Sequence, residues 1–266
     1  MFELFVFLMV FFGVVVVVKY FGRKPQWRTI RVDVGGRNWK DVWGGDNTKP
    51  PFWLSDKIKV DDEERGVDGR VIARILKVEN YERSDESADL YLIVSIKGEL
   101  NKRTGKFVFK GREVEVGAPI EMSFLRVRVL GQVIDDSYPD EGYKKKEFMI
   151  TGRWERQEAC VVKEVKVGEE MIERSSGEVI AEILEVKTEL PTSSIFLQSD
   201  YRNNVVVDND PERMDVVIKA KILMERIDDR WFFAGHQGVK VGRAIFIYLA
   251  NVDMSYVKIE SVEEVL

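Results

Sequence analysis

Beyond residue 24 the apolar positions recur at a period of two, in short runs closed by glycine or acidic residues. No stretch there carries the 3.6-residue stripe of an amphipathic helix. Strands are predicted over 27–34, 69–78, 89–97, 107–109, 114–116 and 125–130, and again over 148–154, 177–186, 215–222, 231–233 and 239–241. The fold class that follows is all-β. The second set of strands repeats the first: Gly69-Arg70-Val71-Ile72-Ala73-Arg74-Ile75-Leu76-Lys77-Val78 returns as Gly177-Glu178-Val179-Ile180-Ala181-Glu182-Ile183-Leu184-Glu185-Val186. Each copy follows a short apolar run and a charged turn, so a whole supersecondary unit is duplicated. The expectation is two tandem homologous β-barrel or sandwich-like domains, 25–136 and 147–266, joined by a polar linker at 137–146 that ends in the run Lys144-Lys145-Lys146. The second copy carries its own loop, 189–213, rich in Ser, Asn, Asp and Pro.

Within each copy a smaller unit recurs. The pattern [Ile/Val]-x-Val-[Gly/Asp] starts at Ile58, Val114, Val165 and Val239. A strand with alternate residues inward, followed by a residue tolerant of positive φ, would let the chain reverse tightly at each. The near-continuous apolar strands at 69–78 and 177–186 predict coverage on both faces, with Ala73 and Ala181 leaving room for a crossing strand. Aligning the copies by their aromatics sets 148–154 against 31–39, with Trp154 in the place of Trp39.

The N-terminus follows another rule. Residues 4–18 are unbroken apolar, ending in five valines, and Tyr20 and Phe21 extend the run past Lys19. At roughly 1.5 Å per residue this reaches about 27 Å, near the thickness of a bilayer core. Residues 1–24 are therefore expected to be a single transmembrane helix. A cleaved signal peptide would need a basic start and a small-x-small exit, and the chain offers Met1-Phe2-Glu3 and Tyr20-Phe21-Gly22-Arg23-Lys24. The basic residues after the span, Lys19, Arg23, Lys24, Arg28 and Arg31, place the β domains in the cytoplasm by the positive-inside rule. Small β domains hung on one span point to the extracytoplasmic side instead, and that is the expectation taken.

Charge excludes one class of partner. Across 266 residues, 41 Lys and Arg face 46 Asp and Glu, a net charge of −5 without long single-sign blocks, so no footprint for nucleic acid exists. Cys160 is the only cysteine and sits in Ala159-Cys160-Val161-Val162, read as a buried small hydrophobe; an intrachain disulfide is impossible. The single histidine, His236, reads as a turn residue and removes multi-histidine metal sites.

Candidate chemistry is thin. The 98–107 segment has the outline of a phosphate loop, but six residues separate Gly98 from Gly105 and Phe107 stands where Ser or Thr is needed, which makes it a hairpin tip. Two acidic clusters, Asp61-Asp62-Glu63-Glu64 and Asp208-Asn209-Asp210 with Glu212, lack the spacing of a calcium loop and read as solvated turns. Trp27, Trp39, Trp43 and Trp53 form an aromatic-rich stretch that reads as core, as a membrane-interface seal, or as a sugar-stacking platform. No catalytic, cofactor-binding or metal-binding residue stands out, and no cofactor is implied.

The unit of strand, turn and Gly-x-Val-x-Ala-x-Ile-Leu-x-Val resembles the barrel-sandwich domains of membrane-fusion adaptor proteins and of biotinyl carriers. It departs from the carriers by lacking their modifiable lysine, so swinging-arm chemistry is not implied. With the N-terminal span, the whole pattern resembles bacterial single-span membrane proteins of an uncharacterised family with duplicated β domains, a family that brings no catalytic residues. The function expected is that of a non-enzymatic, membrane-anchored structural or interaction protein of a membrane or cell-envelope assembly. Its partners would be the membrane, through the N-terminal helix, and other proteins, a further copy of itself among them. The alternatives are a transport-adaptor subunit docking on a membrane partner, and a glycan-binding or glycan-cleaving envelope domain.

Overall fold

A computed structural model describes residues 25–35, 49–84, 87–139, 141–190, 194–196, 206–208 and 213–265. The expected membrane helix at 1–24 lies outside the described residues, as do Trp39, Trp43 and the acidic positions 209–212. Among the described residues no helix is long and apolar enough to cross a membrane. The described residues are all-β apart from two four-residue helical turns, α1 (Phe52–Ser55) and α2 (Ala159–Val162).

Period-two patterning yields two curled antiparallel sheets. The first contains β1 (Gln26–Val34), β2 (Glu63–Arg65), β3 (Val71–Ser84), β4 (Ser87–Leu100), β5 (Phe107–Phe109), β6 (Arg112–Val114), β7 (Pro119–Ser123) and β8 (Arg128–Asp135). Its order is β2-β3-β4-β1-β8-β7, with β5 branching from β4 and β6 from β5. The second contains β9 (Lys144–Glu158), β10 (Glu170–Glu173), β11 (Glu178–Glu189), β14 (Arg213–Ile227), β15 (Arg230–Phe233), β16 (Gln237–Gly238), β17 (Ala244–Tyr248) and β18 (Asp253–Glu264). Its order is β10-β11-β14-β9-β18-β17, with β15 branching from β14 and β16 from β15. Position by position, the two orders are the same. The loop specific to the second copy carries a separate two-stranded pair, β12 (Ser194–Phe196) with β13 (Val206–Asp208). Among the described residues, Glu79–Asp89, the outer end of the β3–β4 hairpin, belongs to the compact unit of the second sheet, and the rest of the first sheet forms the other unit.

Each sheet buries one face along its length, and the middle of the first is covered on both, since Arg31, Tyr91 and Ile93 are buried as well as Val32, Leu90 and Leu92. Ile30, Val32, Ala73, Ile75, Leu92 and Met122 are fully buried in the first, and Ile150, Ile183, Ile218, Ile222, Phe233 and Ile247 in the second. Each such side chain larger than alanine contributes roughly 1.5–3 kcal/mol. The repeated strands β3 and β11 are covered on both faces only in part, at 78–81 and at 180–181, and not throughout as their apolar runs implied. Ala73 and Ile75 are buried while Leu76 between repeats is 44% exposed, and Leu184 of β11 is 36% exposed. A lone exposed leucine costs little, so the run of apolar residues carried less information about burial than its alternation did.

The four [Ile/Val]-x-Val-[Gly/Asp] segments build one device four times. The fourth residue has positive φ in each: Asp61 (68°), Gly117 (90°), Gly168 (85°) and Gly242 (84°). Its N–H donates to a carbonyl of the neighbouring strand, Asp61 to Ile75, Gly117 to Val133, Gly168 to Ile183 and Gly242 to Ile259, at 2.7–2.9 Å. The acceptor residue returns the bond from its own N–H to the residue after the turn, Asp62, Ala118, Glu169 or Arg243. The third residue is not inward as alternation implied: Val60, Val116, Val167 and Val241 are all exposed, because the turn has already begun there.

Register fixes the equivalences between the sheets. Val34 pairs with Leu90 as Trp154 pairs with Val216, so Trp154 occupies the place of Val34 and not that of Trp39. By the same registers Gly152 corresponds to Val32, and Val257 to Gly131. A Cβ on Gly131 would lie 2.5 Å from Val32 Cγ1, and one on Gly152 would lie 2.5 Å from Val257 Cγ1. The two sheets solve one close approach with the large and small residues exchanged.

Two further sequence readings change. Cys160, expected in the core, is exposed on α2 with Sγ 3.7 Å from Glu158 Oε2. The helical turn rotates Val162 inward in its stead. The lysine run lies inside β9 instead of a linker turn, where Lys145 pairs with Glu178 and Lys146 with Glu264.

Candidate functional site

The two sheets differ most at the margin where the branch strand faces the last hairpin: β6 against β7 in the first, β16 against β17 in the second. In both, alternate residues of the hairpin strand bond inward to its partner strand, and the others present N–H and C=O to the margin. Phe124 N–H donates to Val127 and Leu249 N–H to Val252, while Ala118 and Arg243 accept from Val133 and Ile259. That parity leaves Glu121 of β7 and Phe246 of β17 facing outward at the same place.

In the second sheet the margin is closed by a side chain. Phe246 N–H donates to Gln237 Oε1 at 2.6 Å, and Gln237 Nε2 donates to the Phe246 carbonyl at 3.2 Å. One carboxamide thus does for β17 what a neighbouring strand would do. Gln237 is 9% exposed, and the residues that complete the place are apolar: Met171 and Ala234 are buried.

In the first sheet the same three positions are charged. Phe109 pairs with Arg112 as Phe233 pairs with Gln237, so Arg112 stands where the carboxamide stands. Lys110 corresponds to Ala234; both follow the phenylalanine at positive φ (49° and 45°) and precede a glycine at 77°. Glu64 pairs with Ala73 as Met171 pairs with Ala181, so Glu64 takes the methionine's place. Glu64 is 6% exposed, and its carboxylate is bound by the Lys110 ammonium, which also donates to the Glu121 carbonyl at 3.0 Å. Lys110 passes over the Phe109 ring, 5.2 Å from its centroid.

A pocket of about 240 Å³ opens at this margin. Phe109, Val114, Ala118, Pro119, Ile120 and Val133 supply its apolar walls, and Lys110, Arg112, Glu113 and Glu121 its polar ones. The carboxylates there are engaged. Glu113 shares the Lys106 ammonium with Glu115, and these bonds hold that ammonium above its ordinary range. Glu121 accepts from Arg128 at 2.8 Å, and chiefly that bond holds its pKa below the usual carboxylate value. Arg112 has no such partner among the described residues. Three donors stand at the pocket, the Arg112 guanidinium, the outward Glu121 N–H and the third proton of the Lys110 ammonium, beside a buried acceptor without a hydrogen bond, Glu64 Oε2.

The other candidate residues are not gathered. Asp61 and Asp62 form one of the four turns, and Glu63 pairs with Arg65 and Arg74 on β2. The 98–107 segment is the β4–β5 hairpin tip, closed by Asn101 and Lys106. His236 sits in the β15–β16 turn with Nδ1 3.1 Å from the Ala234 carbonyl and Nε2 3.8 Å from the buried Asp89 carboxylate. Trp27 and Trp53 are about half exposed, at 51% and 52%. Among the described residues no group of three or more His, Cys, Asp or Glu is placed to hold a metal ion.

Sequence reasoning read Glu64 as part of a solvated acidic turn, where the structure buries it, and passed over Lys110, Arg112 and Gln237. The signal was present in Phe109-Lys110-Gly111-Arg112 against Phe233-Ala234-Gly235-His236-Gln237, where one inserted residue hides the match of Arg112 with Gln237. No family model, curated protein or solved structure matches this chain.

Proposed function

We propose that the protein is a non-enzymatic interaction protein, held to a membrane by the apolar segment 4–18 and presenting two duplicated β domains on its extracytoplasmic side. The N-terminal run of apolar residues supports the anchor, and the shared strand order with its exchanged glycine and valine supports the duplication. In this reading the second domain is the self-contained copy and the first is the binding copy. The observation that carries it is the β6–β7 margin, open and rich in unused donors where its counterpart is sealed by Gln237. Open strand margins with satisfied neighbours are where proteins take up partners.

A photo-crosslinking amino acid at position 119, on the pocket wall, with one at the equivalent position 244 of the second domain as control, tests this in membranes of cells making the full chain. The reading predicts a discrete adduct from position 119 and none from 244. Equal labelling at both positions, or none at either, overturns it. Protease digestion of a C-terminal tag in intact cells and in inverted vesicles tests the placement, which fails if the tag is cut only in the vesicles.

A further inference from the structure

The occupant of the first domain's pocket can be narrowed by its chemistry, an inference that rests on the binding role assigned above. We infer that the pocket takes a small organic carboxylate with a compact apolar body. The argument starts from Gln237. Its carboxamide shows what satisfies the outward backbone of this margin: an acceptor oxygen for the strand N–H and a donor for the strand carbonyl. In the first domain the corresponding carbonyl, that of Glu121, already accepts from Lys110. Only the N–H of Glu121 is left, and beside it stand Arg112 and one uncommitted proton of Lys110. A group that fits is acceptor-only, which a carboxylate is and an amide is not.

The body of the ligand follows from the walls. Val114, Ile120 and Val133 are buried core residues whose faces line the pocket, so an apolar group resting there leaves water. At about 240 Å³ the space is below the usual range of roughly 300–1,000 Å³ for ligand pockets, which limits the occupant to about a dozen non-hydrogen atoms. Arg112 would grip the carboxylate through two parallel N–H bonds, as guanidinium groups do. A free short acid and the terminal residue of a polypeptide share this chemistry.

Isothermal titration of the full chain in detergent separates these cases. The probes are hexanoate, hexanamide, and a tripeptide ending in leucine with a free or an amidated terminus. Saturable binding of hexanoate, at least about tenfold tighter than of hexanamide, is expected, since a charge-assisted bond is involved. Tighter binding of the free-ended tripeptide than of hexanoate assigns the source to a polypeptide terminus; the reverse assigns it to a free acid. Arg112→Gln should weaken hexanoate at least about tenfold. The triple variant E64M/K110A/R112Q, which installs the second domain's own residues, should fold and bind no probe. Equal binding of acid and amide, unchanged affinity in either variant, or no saturable heat overturns the carboxylate inference. An adduct at position 119 in cells alongside silent titrations would retain the interaction role and discard only this ligand class.

Discussion

The two sheets share one strand order, yet one seals its margin and the other leaves it open. In the second, Met171, Ala234 and Gln237 complete the place with two apolar side chains and one carboxamide. In the first, Glu64, Lys110 and Arg112 put an ion pair and a second cation there, the latter acting on the Glu121 carboxylate. All three differences fall at one spot while the surrounding turns and registers are kept. An unpaired strand edge is a liability, which Gln237 removes in the second sheet and which stays in the first. A buried ion pair is a poor source of stability compared with well-packed apolar residues. The charged version is therefore the one whose cost asks for a function.

The equivalence itself can be broken first. Gly131→Val should destabilise the chain by about 3 kcal/mol or more, since the new side chain meets Val32 and the Asp33 carbonyl, 2.6 Å from the Cβ position. Gly152→Val should cost a similar amount through Val257. The exchange predicts different rescues. Val257→Gly should restore most of the loss in Gly152→Val, where the close obstacle is a side chain, while Val32→Gly should rescue Gly131→Val only in part, because the Asp33 carbonyl remains. Urea unfolding of the four single and two double variants reads this directly.

Next comes the ion pair. Lys110→Ala leaves the Glu64 carboxylate buried without its cation and should cost about 2 kcal/mol, less than the roughly 3–5 kcal/mol of a fully buried pair because Lys110 is a third exposed. E64M/K110A should recover that loss, since it copies the apolar pair of the second sheet. If the double variant is no more stable than Lys110→Ala, the correspondence of Glu64 with Met171 is wrong.

Gln237→Ala should cost about 1–2 kcal/mol, from two backbone groups of Phe246 left without partners, offset where water can reach them. Gln237→Glu should cost comparably, since it keeps the acceptor for the N–H and loses the donor for the carbonyl. Thermal unfolding of both, beside Arg112→Ala in the first sheet at nearly no cost, measures the asymmetry of the two margins.

The smallest effect is on pH dependence. Glu121 has its folded pKa lowered below 4.5, first by the Arg128 hydrogen bond, so its ionised form is favoured in the folded state. Its contribution is full above 4.5 and disappears as pH falls through the lower folded value. With a half-exposed side chain the effect should be a few tenths of a kcal/mol. Comparing wild type with Arg128→Ala, the difference in urea midpoint at about pH 6 should shrink as pH falls below 4.5 through the lower folded value. A difference that grows on acidification contradicts the assignment.

Much of the fold was legible because its rules are local. Alternation predicted the strands, and the repeated Gly-x-Val-Ile-Ala-x-Ile-Leu-x-Val predicted two similar sheets before any pairing was known. The four turn segments were legible as turns from a residue suited to positive φ. What the sequence hid depended on pairing across distance. Trp154 aligned with Trp39 by residue type, but cross-strand register puts it with Val34. Cys160 and the three lysines were misplaced because a single helical turn and a strand start shift the phase by one or two residues. The candidate site was not legible at all. Glu64 lies 46 residues from Lys110, and nothing in its neighbours Asp61, Asp62 and Glu63 marks it as the one acid that is buried.

Hydrogen exchange of two amides, Glu121 and Phe246, tests the central contrast most directly. The full chain without ligand should exchange slowly at Phe246, whose N–H is held by Gln237, and faster at Glu121 by a factor of at least about ten, the ratio expected for one lost hydrogen bond. In E64M/K110A/R112Q the Glu121 amide should slow toward the Phe246 rate. Equal protection of the two amides in the wild-type chain would contradict the account, because it would mean that the first margin is closed as the second one is.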